Sequence, residues 1–71
     1  MANALQISGG MSILSMYEKK GLEGLKVDAQ HDVIYCGPNI NPNKIIDEDK
    51  KKLEELGWHF DEECECWARF T

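Results

Sequence analysis

Residues 53–70 have the sequence LEELGWHFDEECECWARF, which contains both tryptophans and both phenylalanines of the chain. The first part indicates the end of a helix, because Gly57 suits the left-handed backbone position that follows a helix. The aromatic segment Trp58 to Phe60 is then typical of a strand, and the three acids after it predict a turn. A second strand over residues 64–70 completes a hairpin. The stretch therefore predicts a helix that runs directly into two antiparallel strands.

The register of this hairpin decides which side chains face the core, because a slip of one residue turns every side chain to the other face. An odd loop, of residues 61–63 or 61–65, places the apolar side chains together: Trp58, Phe60, Cys64, Cys66, Ala68 and Phe70. The other face then carries His59, Glu65, Trp67 and Arg69. We expect an odd loop, because an even loop would bury Glu65 beside Phe60 on the face of both tryptophans.

This register leaves Trp67 as a large aromatic residue on the polar face. A tryptophan that shares a face with a histidine and an arginine is typical of a hot spot for protein binding, since Trp and Arg are enriched at the centres of interfaces. The predicted partner-binding residues are therefore His59, Trp67 and Arg69. The alternative is that a second layer, either the first helix or another subunit, covers the tryptophan.

The chain has 71 residues and a formal net charge of −5, and this length allows one domain with a small core. Residues 47–71 hold nine acids and four bases, whereas residues 1–46 hold four of each. Direct nucleic-acid binding is not expected, because basic side chains that neutralise phosphates supply most of that affinity. The acidic second part supports another hypothesis, in which the protein mimics a nucleic acid and inhibits a protein that handles one, as a phage or host-defence factor.

Three cysteines, an odd number, argue against a disulfide framework and indicate a reducing environment, so we expect a cytoplasmic protein. No apolar run approaches the length of a membrane span, and no secretory signal is recognised. Cys64 and Cys66, with His59 nearby, suggest a zinc site, but one intervening residue is too few for the usual spacing of two to four. The preferred interpretation is that both thiols are small core residues.

An N-terminal helix is predicted ahead of the first strands. Ser8 is a candidate N-cap for a helix that starts near Gly9 or Gly10 and ends at Gly21. Residues 1–10 are expected to contain either a disordered lead or an edge strand. The helix has an apolar stripe at helical spacing, formed by Ile13, Leu14 and Tyr17.

The middle of the chain predicts a second hairpin. The alternating segment 25–29 and the segment 33–36, rich in β-formers, are typical of two strands. They are joined by a turn at Gln30-His31 or, as the alternative, at Asp28-Ala29. Proline and asparagine residues then indicate a loop over residues 37–43.

The second helix begins at Asp47, an N-cap candidate followed by acids that suit the positive end of the helix dipole. Helix, hairpin, loop, helix and hairpin therefore follow one another along the chain. The simplest solution is a single α+β domain over residues 1–71. It consists of an antiparallel sheet of about four strands with both helices packed on one face.

The C-terminal run from Leu53 to Thr71 resembles the tail of a group of small uncharacterised bacterial and phage proteins. In that group a Leu-x-x-Leu-Gly-Trp helix end meets an acidic turn and a closing Trp-x-x-Phe. The segment His31-Asp32-Val33-Ile34-Tyr35 is similar to their central strand, and the two segments cover about a third of the chain. The resemblance implies a stand-alone cytosolic α+β domain that can move between genomes, and it assigns no functional residue.

The favoured hypothesis is a small acidic protein-interaction module without enzymatic activity. Its partner is another protein or, in a homodimer, a second copy, bound through the face of His59, Trp67 and Arg69. No catalytic residue is predicted, because no base lies beside a thiol in the sequence and no oxyanion donors are recognised. The alternatives are the acidic inhibitor and a small metal-binding domain. No cofactor and no membrane contact are expected for the favoured hypothesis.

Overall fold

The computed structural model describes residues 3–38 and 40–71, so Asn39 of the predicted loop lies outside the described residues. Two helices, α1 (Ala4–Ser15) and α2 (Asp47–Glu55), accompany four strands: β1 (Val27–Gln30), β2 (Val33–Cys36), β3 (His59–Asp61) and β4 (Cys66–Phe70). The strands form one antiparallel sheet in the spatial order β1-β2-β4-β3. The predicted α+β class and the order helix, hairpin, helix, hairpin are confirmed.

Helix α1 starts earlier than predicted, because Asn3 rather than the predicted serine is its N-cap. The Asn3 side chain accepts a hydrogen bond from the Gln6 backbone N–H (2.9 Å), and the Gln6 side chain accepts one from the Asn3 N–H (3.0 Å). This capping box satisfies two donors that the start of a helix otherwise leaves free. The predicted disordered lead or edge strand is therefore wrong from Ala4 onward, and Met1 and Ala2 lie outside the described residues.

The interior of α1 contains a glycine where the helix touches the second hairpin. Gly10 is buried, and a Cβ atom built on it would lie 1.9 Å from Nε1 of Trp58. The Trp58 indole N–H donates to the Gln6 carbonyl (2.9 Å), and the side chain is 1% exposed. Because only glycine leaves room for the indole, this contact fixes α1 against the segment that leads into β3. The helix then ends at Ser15, before the predicted end at Gly21.

The first hairpin forms as predicted but turns at His31-Asp32. Gln30 pairs with Val33, which shifts the register by two residues from the favoured one and makes both predicted turn positions wrong. A shift of two residues leaves every side chain on its predicted face, because side chains alternate along a strand. His31 has a φ of 55°, and histidine is one of the residues enriched in this left-handed region. It can therefore occupy the turn without a glycine.

Helix α2 begins at Asp47, which is the first helical residue and not the predicted N-cap. Its predicted end at Gly57 is confirmed, with a φ of 87° at the glycine. The Gly57 N–H donates to the Glu54 carbonyl (2.9 Å) and the Trp58 N–H donates to the Leu53 carbonyl (2.8 Å). These are the two hydrogen bonds of a Schellman motif, and they direct the chain from the helix into β3.

The core lies between the helices and one face of the sheet. Its buried residues come from α1, from α2, from the connecting segments and from the central strands: Leu14, Leu25, Cys36, Ile40, Ile45, Leu53, Trp58 and Trp67. Cys36 and Trp67 are direct cross-strand partners, so they point to the same side of the sheet. Both helices therefore cover this side, which we call the covered face.

A tyrosine connects the two helices at the edge of the core. The Tyr17 hydroxyl donates to the Asp49 carboxylate (2.5 Å) and accepts from the Ile46 backbone N–H (3.3 Å). The hydrogen bond to Asp49 and the desolvation of the ring hydroxyl raise the pKa of Tyr17 above its ordinary value. Neither α1 nor α2 combines the length and the apolar character needed to cross a bilayer.

Substitution of Gly10 tests the packing of α1 on Trp58. Gly10→Ala is expected to lower the free energy of unfolding by about 1–3 kcal/mol, because the new Cβ would displace the indole. Gly9→Ala is the matched control, since its Cβ would meet only the flexible Leu56 side chain at 3.2 Å and alanine favours a helix by up to about 1 kcal/mol. Urea unfolding followed by tryptophan fluorescence measures both variants. Equal effects would contradict the close contact at Gly10.

Candidate interaction surface

The second hairpin has a different register from the predicted one. Phe60 pairs with Trp67 and Asp61 pairs with Cys66, so the loop consists of the four residues 62–65. The predicted odd loop is therefore wrong, and so is the predicted division of side chains between the two faces. The argument against an even loop was the burial of Glu65. This residue instead has a φ of 55° and stays exposed in the turn.

Trp67 belongs to the core and not to an exposed surface. Its side chain is 4% exposed, and its indole N–H donates to the Ile40 carbonyl (2.9 Å). Its ring packs edge-on against Phe60, with the ring centroids 5.6 Å apart. The alternative of a second covering layer named the first helix or another subunit, whereas the hydrogen-bond partner of the indole lies in the loop that contains Ile40. The prediction that Trp67 is an exposed hot spot is wrong.

The other two predicted binding residues lie on opposite faces of the sheet. Arg69 shares the covered face with Trp67, and its guanidinium donates to the Phe70 carbonyl (2.8 Å) and lies beside Gly57. His59 points to the opposite side, where it is exposed and stacks on Phe70 with ring centroids 5.5 Å apart. The structure therefore does not bring His59, Trp67 and Arg69 together.

No helix within residues 3–38 and 40–71 packs on the side of the sheet that carries His59, and we call this side the open face. Its side chains form three rows across the strands. The first row contains Lys26, Cys66 and Asp61. The second row contains Asp28, Tyr35, Ala68 and His59. The third row contains Gln30, Val33 and Phe70. The central strands β2 and β4 supply the apolar and aromatic residues, while the edge strands supply the polar ones. An apolar centre with a polar rim has the layout of a protein interface.

Phe70 is the most exposed apolar side chain on the open face, at 63%. Ala68, in the neighbouring row, is hidden because it is small and lies between the larger Tyr35 and His59. Phe70 and His59 stack nearly parallel, with an angle of 22° between their ring planes. The pair presents a flat aromatic surface near the end of β4.

A hollow of about 680 Å³ opens at the other end of the open face. One wall carries Lys26 and Asp28 from the first hairpin, and the opposite wall carries Asp61 and Glu63 from the second. Tyr35 is also part of the lining. The hollow therefore places one base and three acids around an aromatic ring. This combination suits a charged side chain with an apolar stem better than a purely apolar one.

Two cysteines form a disulfide at the rim of this hollow. Cys64 and Cys66 are bonded across the turn, with their Cα atoms 5.3 Å apart. The interpretation of both as small core thiols is wrong, because Cys64 is exposed and only Cys66 is buried. The odd number of cysteines did not exclude one local bond. The third cysteine, Cys36, is free in the core, and burial raises the pKa of its thiol to about 11.

The described residues contain no group of three or more histidine, cysteine or acidic side chains arranged to hold a metal ion. The disulfide already joins the two thiols that the zinc hypothesis used. The functional interpretation therefore depends on the open face rather than on these cysteines.

The sequence interpretation missed the residues that define the open face. Side-chain alternation along the two strands of the first hairpin puts Lys26 and Tyr35 on a common face, and the observed register has the same result. Phe70 was assigned to the core because the odd loop reversed the second hairpin. An even loop keeps both tryptophans on one side of the sheet and turns Phe70 to the other. That loop was the signal that could have placed Phe70 correctly.

No protein-family model, no curated protein and no solved structure matches this chain. Its function is therefore inferred from the geometry of the open face.

Trp67→Ala tests whether this residue is core or surface. We expect the substitution to lower the free energy of unfolding by about 3–5 kcal/mol, as for other large aromatic side chains in cores. His59→Ala, on the pairing strand but on the open face, should change it by about 0.5 kcal/mol or less. Urea unfolding compares the two variants. A fully stable Trp67→Ala protein would contradict the core assignment.

Alkylation tests the three cysteine environments. In the native protein without reductant we expect no reaction with iodoacetamide, because Cys36 is buried and the other two are bonded. After reduction Cys64 should react first, since an accessible thiolate is the reactive form, and Cys66 should follow slowly because it is 5% exposed. Mass spectrometry over a time course measures the order. Rapid modification of Cys36 in folded protein would contradict its position.

Proposed function

We propose that the protein is a small acidic protein-interaction module without enzymatic activity, which binds its partner through the open face. The observation that carries this proposal is the exposed stacked pair of Phe70 and His59 on a sheet face without a covering helix. The proposal keeps the class of function that the sequence predicts. It moves the binding surface from Trp67 to Phe70.

The aromatic pair provides a favourable free energy of association. Complete burial of a phenylalanine side chain contributes about 1.5–3 kcal/mol. The two rings are already stacked in the free protein, so they lose little rotational freedom when a partner covers them. Aromatic residues at the centre of a contact surface are frequent hot spots.

The charges around the open face favour a protein partner over a nucleic acid. The hollow has three acids and one base in its lining, and the whole chain has a net charge of −5. A phosphate backbone would be repelled by this surface. A protein with an apolar centre and mixed charges at its rim matches the open face better.

Site-specific photo-crosslinking tests the proposal. A photoreactive phenylalanine analogue replaces Phe70 in one variant and Ile46 in the matched control. Ile46 is 59% exposed at the start of α2, on the helical side of the molecule. Irradiation in the source cells should give a discrete protein adduct from position 70 and none from position 46. The mass of the adduct gives the mass of the partner.

Two results would contradict this proposal. Position 70 would give no adduct if the open face has no partner. Equal adducts from positions 70 and 46 would show collisions with abundant proteins instead of a binding surface. In either case the exposed aromatic pair would have no role in protein binding.

A further inference from the structure

We propose that the partner of the open face is a second copy of this chain, packed face to face about a two-fold axis parallel to the strands. The inference rests on the proposed function, because it uses the same surface. It adds the identity of the partner and the geometry of the complex. The argument comes from the positions of the charged residues in the rows of the open face.

The first row has opposite charges at its two ends, and the second row has an acid at one end and a histidine at the other. In the second row, the cross-strand pairs run from Asp28 on β1 through Tyr35 and Ala68 to His59 on β3. In the first row, the Lys26 carbonyl accepts from the Gly37 N–H (3.2 Å), which extends the β1–β2 register by one pair. That row therefore begins with a base on the β1 side.

The first row ends with an acid on the β3 side. Cys36 pairs with Trp67. Because the strands are antiparallel, the residue after Cys36, Gly37, lies beside Cys66 on β4. Cys66 pairs in turn with Asp61. Lys26 and Asp61 consequently lie at the same level along the strands, on opposite edges of the sheet.

A two-fold axis parallel to the strands brings these charges together. The rotation keeps each row at its level and places β1 of one copy opposite β3 of the other. Lys26 then faces Asp61 of the second copy, and Asp28 faces His59 of the second copy. Because a two-fold interface is isologous, each contact occurs twice.

The same rotation matches the shapes of the central strands. Tyr35 lies opposite the small Ala68 of the second copy, and Val33 lies opposite Phe70 of the second copy. A large side chain against a small one allows two sheets to approach to about 10 Å, the usual separation of packed sheets. Aligned sheets are rotated by about 30°, which displaces the edge strands by roughly one residue at ordinary strand spacing. The flexible Lys26 side chain spans this displacement.

The alternative two-fold axis, perpendicular to the strands, is unfavourable. It keeps each strand opposite itself and places Asp28 against Asp28 of the second copy. It also removes the contact between Lys26 and Asp61. Like charges in direct opposition across an interface cost free energy. The charges therefore select one orientation of the two copies.

The open face is small, so the dimer should dissociate on dilution. It measures roughly 19 Å across four strands and 17 Å along five residues at ordinary spacings, which belongs to the small end of specific interfaces. The net charge of −5 on each copy also opposes association. The apolar centre and the paired charges must together outweigh this repulsion.

Charge variants measured by sedimentation equilibrium test the geometry. The wild-type mass should rise from 8.1 kDa towards twice that value as concentration increases. Lys26→Glu should raise the dimer Kd about tenfold, because two ion pairs become repulsive. Lys19→Glu adds the same negative charge in an exposed turn that is not part of any strand, and it should have a much smaller effect.

Asp61→Asn separates ion pairing from general repulsion. It removes one negative charge per chain, so general repulsion alone predicts tighter association, whereas loss of the Lys26 contact predicts weaker association. Asn can still accept the hydrogen bond that Asp61 receives from the Glu63 N–H (2.9 Å), so the hairpin should stay folded. We expect the dimer Kd to rise several-fold.

The exchanged pair gives the strictest check. In an Asp61→Lys background, Lys26→Glu should strengthen the dimer, although the same substitution weakens it in the wild type. Circular dichroism confirms that each variant is folded. A Lys26→Glu effect of the same sign in both backgrounds would overturn the proposed geometry.

A monomeric wild-type protein would also overturn the second-copy partner, and the crosslink from position 70 then decides the wider question. An adduct with a different protein would leave the proposed function standing. The absence of any adduct would remove both. A dimer with crosslinks between the two copies at position 70 would support both.

Discussion

The contact between the Trp58 indole and Gly10 is the interaction on which the rest of the structure depends. It joins the first helix to the second hairpin, and the same indole donates a hydrogen bond to the carbonyl of Gln6, 52 residues earlier in the sequence. Two features make it possible. The Schellman motif at Gly57 directs the chain so that Trp58 turns into the core, and Gly10 removes the side chain that would block the indole.

The open face follows from the lengths of the two helices. Helix α1 has 12 residues and α2 has nine, and a helix of 12 residues is about 18 Å long. This is close to the width of one face of a four-stranded sheet, so the two helices can cover one face and no more. A domain of this size buries a smaller share of its surface than a large one. The aromatic side chains of β2 and β4 that point away from the helices therefore remain accessible to a partner.

The sequence was sufficient for those features that depend on one residue type or on alternation. Gly57 marked a helix end because few other residues adopt its conformation easily. The faces of the first hairpin were predicted correctly despite a register error of two residues, because side-chain alternation has a period of two. The second hairpin was predicted wrongly because its turn uses Glu65 at a φ of 55°, a position where the sequence has no glycine to signal it. That single error exchanged the faces of the sheet to which Trp67 and Phe70 were assigned. The Asn3-x-x-Gln6 capping box was readable, but Ser8 offered another N-cap and placed the predicted helix start near Gly9 or Gly10.

The positions of the acids explain why a net charge of −5 does not define the surface. Three of them, Asp47, Glu48 and Asp49, occupy the first turn of α2, where negative charge is stabilised by the helix dipole. Asp49 also accepts the Tyr17 hydrogen bond that links the helices. These acids have structural roles, so the acidity of the second part of the chain gives little support to mimicry of a phosphate backbone. On the open face the acids outnumber the one lysine, but Lys26 at one edge lies level with Asp61 at the other. A base and an acid at the same level on opposite edges are complementary to their own image under one rotation, and this is the reason for proposing a second copy as the partner.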